Sequence, residues 1–177
     1  GEWMLEDLKT DHYSDGTLIT GSSQSGASPS GYSTGSVRYL YDYYTAFSNK
    51  NVCPVGWRIP TRIEWYNLIS LFSDTIEVSS TFCNTAVNPP SLKFNNVNEL
   101  LSDGWSVSYN NISGFNLRGP QTTGYYTSDQ APQSCFSNFP SGYPTSFSSI
   151  NVYENEISTG YGYGIRGLER PIRCIKD

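Results

Sequence analysis

A single well-marked helix constrains this fold most. In Pro60-Thr61-Arg62-Ile63-Glu64 a threonine stands where a helix cap belongs, and a glutamate follows three positions later. That spacing is a capping box, in which each residue's side chain satisfies the other's free backbone N–H. Behind it Trp65, Leu68, Ile69 and Phe72 recur at i, i+3, i+4 and i+7, so one face of the helix is apolar and belongs to the core. No other stretch has so clear a helical period. Residues 37–47 (VRYLYDYYTAF) fit helix or strand, with a short helix expected over the second half. Residues 95–101 read as another short helix, stopped by Asp103-Gly104.

The rest of the chain reads as short strands and turns. Residues 3–19 read as a strand, a turn at Asp15-Gly16 and a second strand. Residues 21–35 (GSSQSGASPSGYSTG) read as a polar loop. Beyond Gly104 turn residues recur every few positions. Strands are expected at 105–108, at 124–128, at 147–153, where Ile150 and Val152 alternate with Asn151 and Tyr153, and at 171–176, where Ile172 and Cys174 share a face. Strands at both ends with helices between them describe an α+β domain whose termini meet in one sheet. At 177 residues the chain is the size of a single domain, residues 1–177, with enough length to bury a core.

Composition narrows the function classes. Lysine and arginine number 11 against 16 aspartates and glutamates, giving −5, and no basic stripe exists, so nucleic acid is not an expected partner. No run approaches the ~18 apolar residues of a membrane span. Charged residues make up only 15%, while aromatics also reach 15%, with 14 tyrosines. Tyrosine, serine, glycine and asparagine are the residues that recognition surfaces favour. Gly1-Glu2-Trp3 carries no secretion signal, so any export signal or lipoprotein anchor is expected outside these residues.

The four cysteines, Cys53, Cys83, Cys135 and Cys174, have long spacings and no CxxC pair, and His12 is the one histidine. Zinc is therefore not expected. An even count in a chain of this composition fits two disulfides and an oxidising, extracytoplasmic setting: cell surface, secreted or phage particle. Spacing leaves three connectivities open.

The candidate ligand-binding residues cluster toward the C-terminus: Tyr153, Glu154, Asn155, Tyr161, Tyr163 and Arg166, with Tyr126 and Asp129 from the segment before. Tyr161 and Tyr163 alternate with glycines in residues 160–164 (GYGYG). Such glycines give little support for burying both rings, so exposure is expected. Exposed tyrosines stack on sugars or anchor protein interfaces at low entropic cost. Trp105 is expected in the core.

Residues 52–68 (VCPVGWRIPTRIEWYNL) resemble the signature of the Fibrobacter succinogenes major paralogous domain, which runs Cys-Pro-x-Gly-Trp, a basic position, an apolar residue, Pro-Thr, and Glu-Trp. Cys53, Pro54, Gly56, Trp57, Pro60, Thr61, Glu64 and Trp65 match it. Trp3-Met4 with Leu8, Asp15-Gly16-Thr17, Tyr39-Leu40-Tyr41 with Ala46, Ser113-Gly114-Phe115 and residues 172–177 (IRCIKD) resemble further pieces in the family's order. The chain departs in having Tyr126-Thr127-Ser128 where the family has Trp-Ser-Ser. Residues 83–98 and 132–144 look like additions, each with one extra cysteine. The resemblance implies a C-type-lectin-like fold, with a small mixed or antiparallel sheet, two main helices and long loops bearing ligand contacts. It also implies a Cys53–Cys174 bridge, which leaves Cys83 and Cys135 as a second pair or as two free thiols. Each bridge would contribute about 3–5 kcal/mol by loop closure.

The function expected is an adhesin-like module binding a glycan or protein through the Tyr/Asn-rich C-terminal face, without catalysis or cofactor. The rivals are a structural envelope or pilus-tip module, a receptor-binding protein diversified by a retroelement, and a formylglycine-generating-type cysteine oxidoreductase. Calcium-dependent sugar binding uses Glu-Pro-Asn or Gln-Pro-Asp with Trp-Asn-Asp, and none of these tripeptides occurs. The nearest oxygen-rich run is Glu154-Asn155-Glu156. A Ser-His-Asp triad would rest on His12 alone, and no carboxylate pair stands out for glycoside hydrolysis.

Overall fold

A computed structural model describes residues 1–19, 27–31, 37–41, 43–73, 75–80, 91–97, 99–101, 113–117, 123–130, 147–153, 156–162 and 170–177. Among them, 27–31, 37–38, 43–44, 75, 77–80, 91, 123–130, 147–149 and 159–162 are described by backbone alone. These residues form an α+β protein of antiparallel strands in which one helix exceeds a single turn. They divide into two compact units, Gly1–Pro60 with Ile165–Asp177, and Thr61–Gly164.

The first unit is organised around the C-terminal segment. Strand β9 (Ile175–Lys176) pairs antiparallel with β3 (Trp57–Arg58). Trp3 bridges Ile175, Met4 N donates to the Cys174 carbonyl at 3.0 Å, and Leu8 N donates to the Ile172 carbonyl at 2.8 Å. The termini thus lie side by side. The expected strands at 3–19 and 171–176 are mostly extended segments joined by isolated bridges, with the regular ladder confined to Ile175–Lys176. The turn at Asp15-Gly16 is present. Gly16 takes a left-handed φ of 82°, and Asp15 Oδ1 accepts from the Thr17 backbone N–H and hydroxyl.

Cys53 and Cys174 are bonded, with Cα atoms 6.0 Å apart, as the resemblance implied. Asn51 prepares this junction. It sits at φ 53°, its amide nitrogen donates to the Trp57 carbonyl, and its amide oxygen accepts from Cys53 N. The disulfide is buried in a cluster with Leu8, Ile19, Tyr41, Ala46, Val52 and Ile172. Residues 37–47 resolve into β2 (Val37–Tyr41) and a single turn, α1 (Tyr43–Ala46). The polar stretch 21–35 contains β1 (Ala27–Gly31), the antiparallel partner of β2. This corrects the loop expectation for that part. Serine, glycine and proline carry no strand signal, and pairing with VRYLY imposes one.

The second unit carries helix α2 (Arg62–Ile69) and a five-stranded antiparallel sheet. The capping box is formed: Glu64 N donates to Thr61 Oγ1, and Thr61 N donates to Glu64 Oε2. The buried face is Arg62, Trp65, Tyr66 and Ile69, while Leu68 and Phe72 are half-buried. The apolar stripe is thus rotated toward Tyr66, whose ring lies 5.8 Å from Phe94, and Trp65 meets Phe115 edge-on at 6.0 Å. The sheet runs β4 (Thr75–Ser80), β5 (Ser91–Asn95), β8 (Glu156–Gly162), β7 (Phe147–Tyr153), β6 (Thr123–Gln130). Among the described residues of 95–101 no helix forms. Asn95 closes β5, Asn96 turns left-handed at φ 58°, and Leu101 bridges Leu117. Strand pairing of Phe94 with Ile157 outweighs helix propensity there. Among the described residues the helices are α2 and the one-turn α1. The strand expected at 105–108 lies outside them.

Candidate functional site

The sheet of the second unit has two chemically distinct faces. Phe94 pairs with Ile157, and Ile157 with Val152, and these residues and Ile150 are fully buried. They form the face that α2 covers through Tyr66 and Phe94. Because strand side chains alternate, the intervening residues belong to the other face. On it Lys93 and Asn95 of β5, Glu156 and Ser158 of β8, and Asn151 and Tyr153 of β7 are all half-buried. Lys93 pairs with Ser158 and Ser158 with Asn151 in register, so these side chains stand in one row across three strands. Two strand spacings make that row ~10 Å wide, and one step of two residues along the strands adds ~7 Å.

The groups on this face are largely engaged with one another. Lys93 Nζ lies 2.6 Å from Glu156 Oε2, with about a third of each side chain exposed (35% and 31%). The pair cancels its own charge. Asn151 Nδ2 donates to Ser158 Oγ at 3.5 Å, the outer limit of a hydrogen bond. The carboxamide oxygen of Asn151 is covered and accepts no hydrogen bond. Turning the amide over would exchange the two ends, so either way one end of this side chain is uncommitted. The face offers a cation, a carboxylate, a carboxamide, a hydroxyl and a tyrosine within one small area. It can exchange hydrogen bonds in both directions, and the register puts the Glu77 position of β4 opposite Lys93.

The residues expected from sequence to bind a ligand distribute over β6, β7 and β8. Tyr153 ends β7 on the polar face. Tyr126 lies in β6 opposite Ile150, and Tyr161 in β8 opposite Ser148, both register positions of the alternate parity. Along β7 the Tyr161 position is five residues from Tyr153, ~17 Å. Asp129 lies in β6 where the register with β7 shifts, between Thr127 and Gln130. The side chains of Tyr126, Asp129 and Tyr161, and all of Trp105, Glu154, Asn155, Tyr163 and Arg166, lie outside the described residues. So do Cys83 and Cys135.

Lys93, Asn151 and Ser158 were not among the expected site residues. The alternation of Ile150 and Val152 with Asn151 and Tyr153 was the legible signal for Asn151. Nothing marked Lys93, which falls in residues 83–98, a stretch that reads as an addition and yet supplies a central strand. Glu156 was noted only for its carboxylate beside Glu154. In the fold that carboxylate is met by the Lys93 ammonium rather than left for an ion. Among the described residues no three histidine, cysteine, aspartate or glutamate side chains gather as a metal would require. His12 Nδ1 lies 2.6 Å from Asp11 Oδ1 on the exposed surface.

No curated protein and no solved structure matches the chain. A sequence profile does match, that of a bacterial family described as the Fibrobacter succinogenes major domain, and it covers residues 1–176. On that match, which takes in both compact units and the Cys53–Cys174 bridge, the chain belongs to the Fibrobacter succinogenes major domain family.

Proposed function

We propose that this chain is an extracytoplasmic, adhesin-like binding module of C-type-lectin-like fold that recognises a glycan or a protein through its polar C-terminal sheet face, without catalysis. One observation carries the reading. Strands β5, β8 and β7 bury one face against a helix and present Tyr153, Asn151, Ser158, Lys93 and Glu156 on the other. A sheet face needs polar residues where water meets it, but long Lys and Glu chains alone would serve that purpose. Here tyrosine, asparagine and serine share the row, the chemistry of adaptable recognition surfaces.

The bonded Cys53–Cys174 pair supports an oxidising location, and no described helix is long and apolar enough to cross a membrane. Both sulfurs are buried and bonded, which also argues against their serving as the reactive thiols of an oxidoreductase. The adjacent termini, joined by backbone hydrogen bonds from Met4 and Leu8 to Cys174 and Ile172, support the C-type-lectin-like reading of the fold.

A glycan array probed with calcium and with chelator tests the proposal. Binding that survives chelation is the expected result. Binding lost on chelation would require a metal site. Silence on the array, with specific capture of one envelope protein, would favour the structural module.

A further inference from the structure

The geometry points to a calcium-independent site for a neutral, polyhydroxylated sugar on the polar face of β5, β8 and β7, built by Asn151, Ser158, Tyr153 and the Lys93–Glu156 pair. This rests on the binding-module reading and adds to it a site and a ligand class.

Three features select that class. First, the one lysine described on this face is already met by a carboxylate, and the register sets the Glu77 position of β4 opposite it as well. The cation and anion of the pair are 2.6 Å apart and satisfy each other, so neither is available to attract an ionic ligand from solution. An anionic sugar or acidic peptide would have to draw Lys93 away from Glu156 and leave the carboxylate facing the incoming charge. A sugar hydroxyl does not face that repulsion, because it both donates and accepts. It can donate to Glu156 and accept from Lys93 while the pair stays closed.

Second, the central row contains loosely committed polar groups. The Asn151–Ser158 contact is 3.5 Å long, and one end of the Asn151 carboxamide has no partner. A carboxamide beside a hydroxyl offers donor and acceptor together. Adjacent ring hydroxyls of a sugar present the complementary set, so a small rotation of Asn151 exchanges a weak internal contact for two bonds to ligand.

Third, Tyr153 stands two residues beyond Asn151 on the same strand and the same face, half-buried and therefore held. A tyrosine on the rim of a polar row supplies apolar area against which a sugar ring packs while its hydroxyls reach the row.

The test is titration of ¹⁵N-labelled protein with cellobiose, mannobiose and N-acetyllactosamine, and with sialyllactose as an anionic comparison, all in chelator. Backbone amide shifts are followed in the wild type, Asn151→Ala and Lys93→Ala. A Tyr161→Ala/Tyr163→Ala variant probes the rival tyrosine site, Val55→Ala at an exposed position of the other unit serves as control, and melting temperature confirms that each variant is folded. The expected result is saturable shifts at residues 93–95, 151–153 and 156–158 with at least one neutral disaccharide. Affinity should fall about tenfold or more in Asn151→Ala and stay unchanged in Val55→Ala. Shifts confined to other residues, or binding abolished only in the Tyr161/Tyr163 variant, would overturn this site and leave the binding-module reading standing. Tighter binding of sialyllactose, lost in Lys93→Ala, would overturn the ligand class. No shift with any sugar would overturn the inference; the glycan array and envelope capture then decide the wider reading separately.

Discussion

Arg173 Nη2 donates to Asp7 Oδ1 at 2.6 Å, across 166 residues of sequence, with both side chains buried. Residues 171–175 are all buried although Ile175 alone among them joins a ladder, and this contact accounts for the charged residue in the segment. Ile172 and Cys174 face the apolar cluster, and Arg173 between them is admitted because Asp7 meets its charge. Removing one partner takes a 2.6 Å ion pair from the other inside the protein. Asp7→Ala should therefore lower unfolding free energy by about 3–5 kcal/mol. Replacing both with apolar residues of similar volume, as in Asp7→Leu/Arg173→Met, should cost much less than the single change. Urea denaturation of the wild type and the two variants measures this; equal losses in the single and double variants would refute it.

The Cys53–Cys174 bridge closes a loop of 121 residues' separation, and reducing it should cost about 5 kcal/mol in the chain-entropy model. Cys53→Ser/Cys174→Ser should show that loss in equilibrium unfolding. In the native wild type the bond should resist mild reductant, because both cysteines are fully buried. Rapid thiol labelling of these two cysteines without unfolding would contradict the described packing.

Tyr41 is a buried hub whose hydroxyl accepts from Thr10 N at 2.9 Å and lies 3.0 Å from the Thr10 carbonyl. Burial is the main cause that raises its pKa well above the ordinary 10.0. The neutral phenol is then favoured in the folded state. Its stabilisation is complete below the unfolded value and is lost as pH rises beyond it toward the folded value, since the unfolded chain ionises first. Tyr41→Phe should destabilise by about 1–3 kcal/mol at neutral pH, leaving Thr10 N without its acceptor. The gap between wild type and variant should narrow above about pH 10. Urea midpoints at neutral and strongly alkaline pH test the sign.

The capping box at the start of α2 should behave as a local term. Thr61→Ala removes the acceptor for Glu64 N and should cost about 1 kcal/mol. Thr61→Ser should retain most of it. A loss several times larger in Thr61→Ala would mean that the residue does more than cap.

What the chain determines by itself is what local chemistry can encode. The capping box needs only Thr61 and Glu64, the turn needs Asp15 and Gly16, and the alternation of Ile150 and Val152 with Asn151 and Tyr153 already separates two faces of a strand. The resemblance of residues 52–68 anticipated the Cys53–Cys174 bridge. Tertiary structure decided the rest, because the deciding partners are far apart in sequence. Residues 27–31 have no strand propensity of their own and become a strand by pairing with Val37–Tyr41. The start of the expected helix at 95–101 is lost because Asn95 is held in the ladder between Thr75 and Glu156 and Asn96 turns left-handed. The stripe of α2 turns from Leu68 toward Tyr66, whose ring meets Phe94. Lys93 became part of the candidate site only when β5 and β8, more than sixty residues apart, were set side by side and its charge came to rest on Glu156. Periodicity reports which way a side chain faces along its own strand. Which neighbours it meets depends on strand order, and hydrogen-bonded pairing over long sequence separations sets that order.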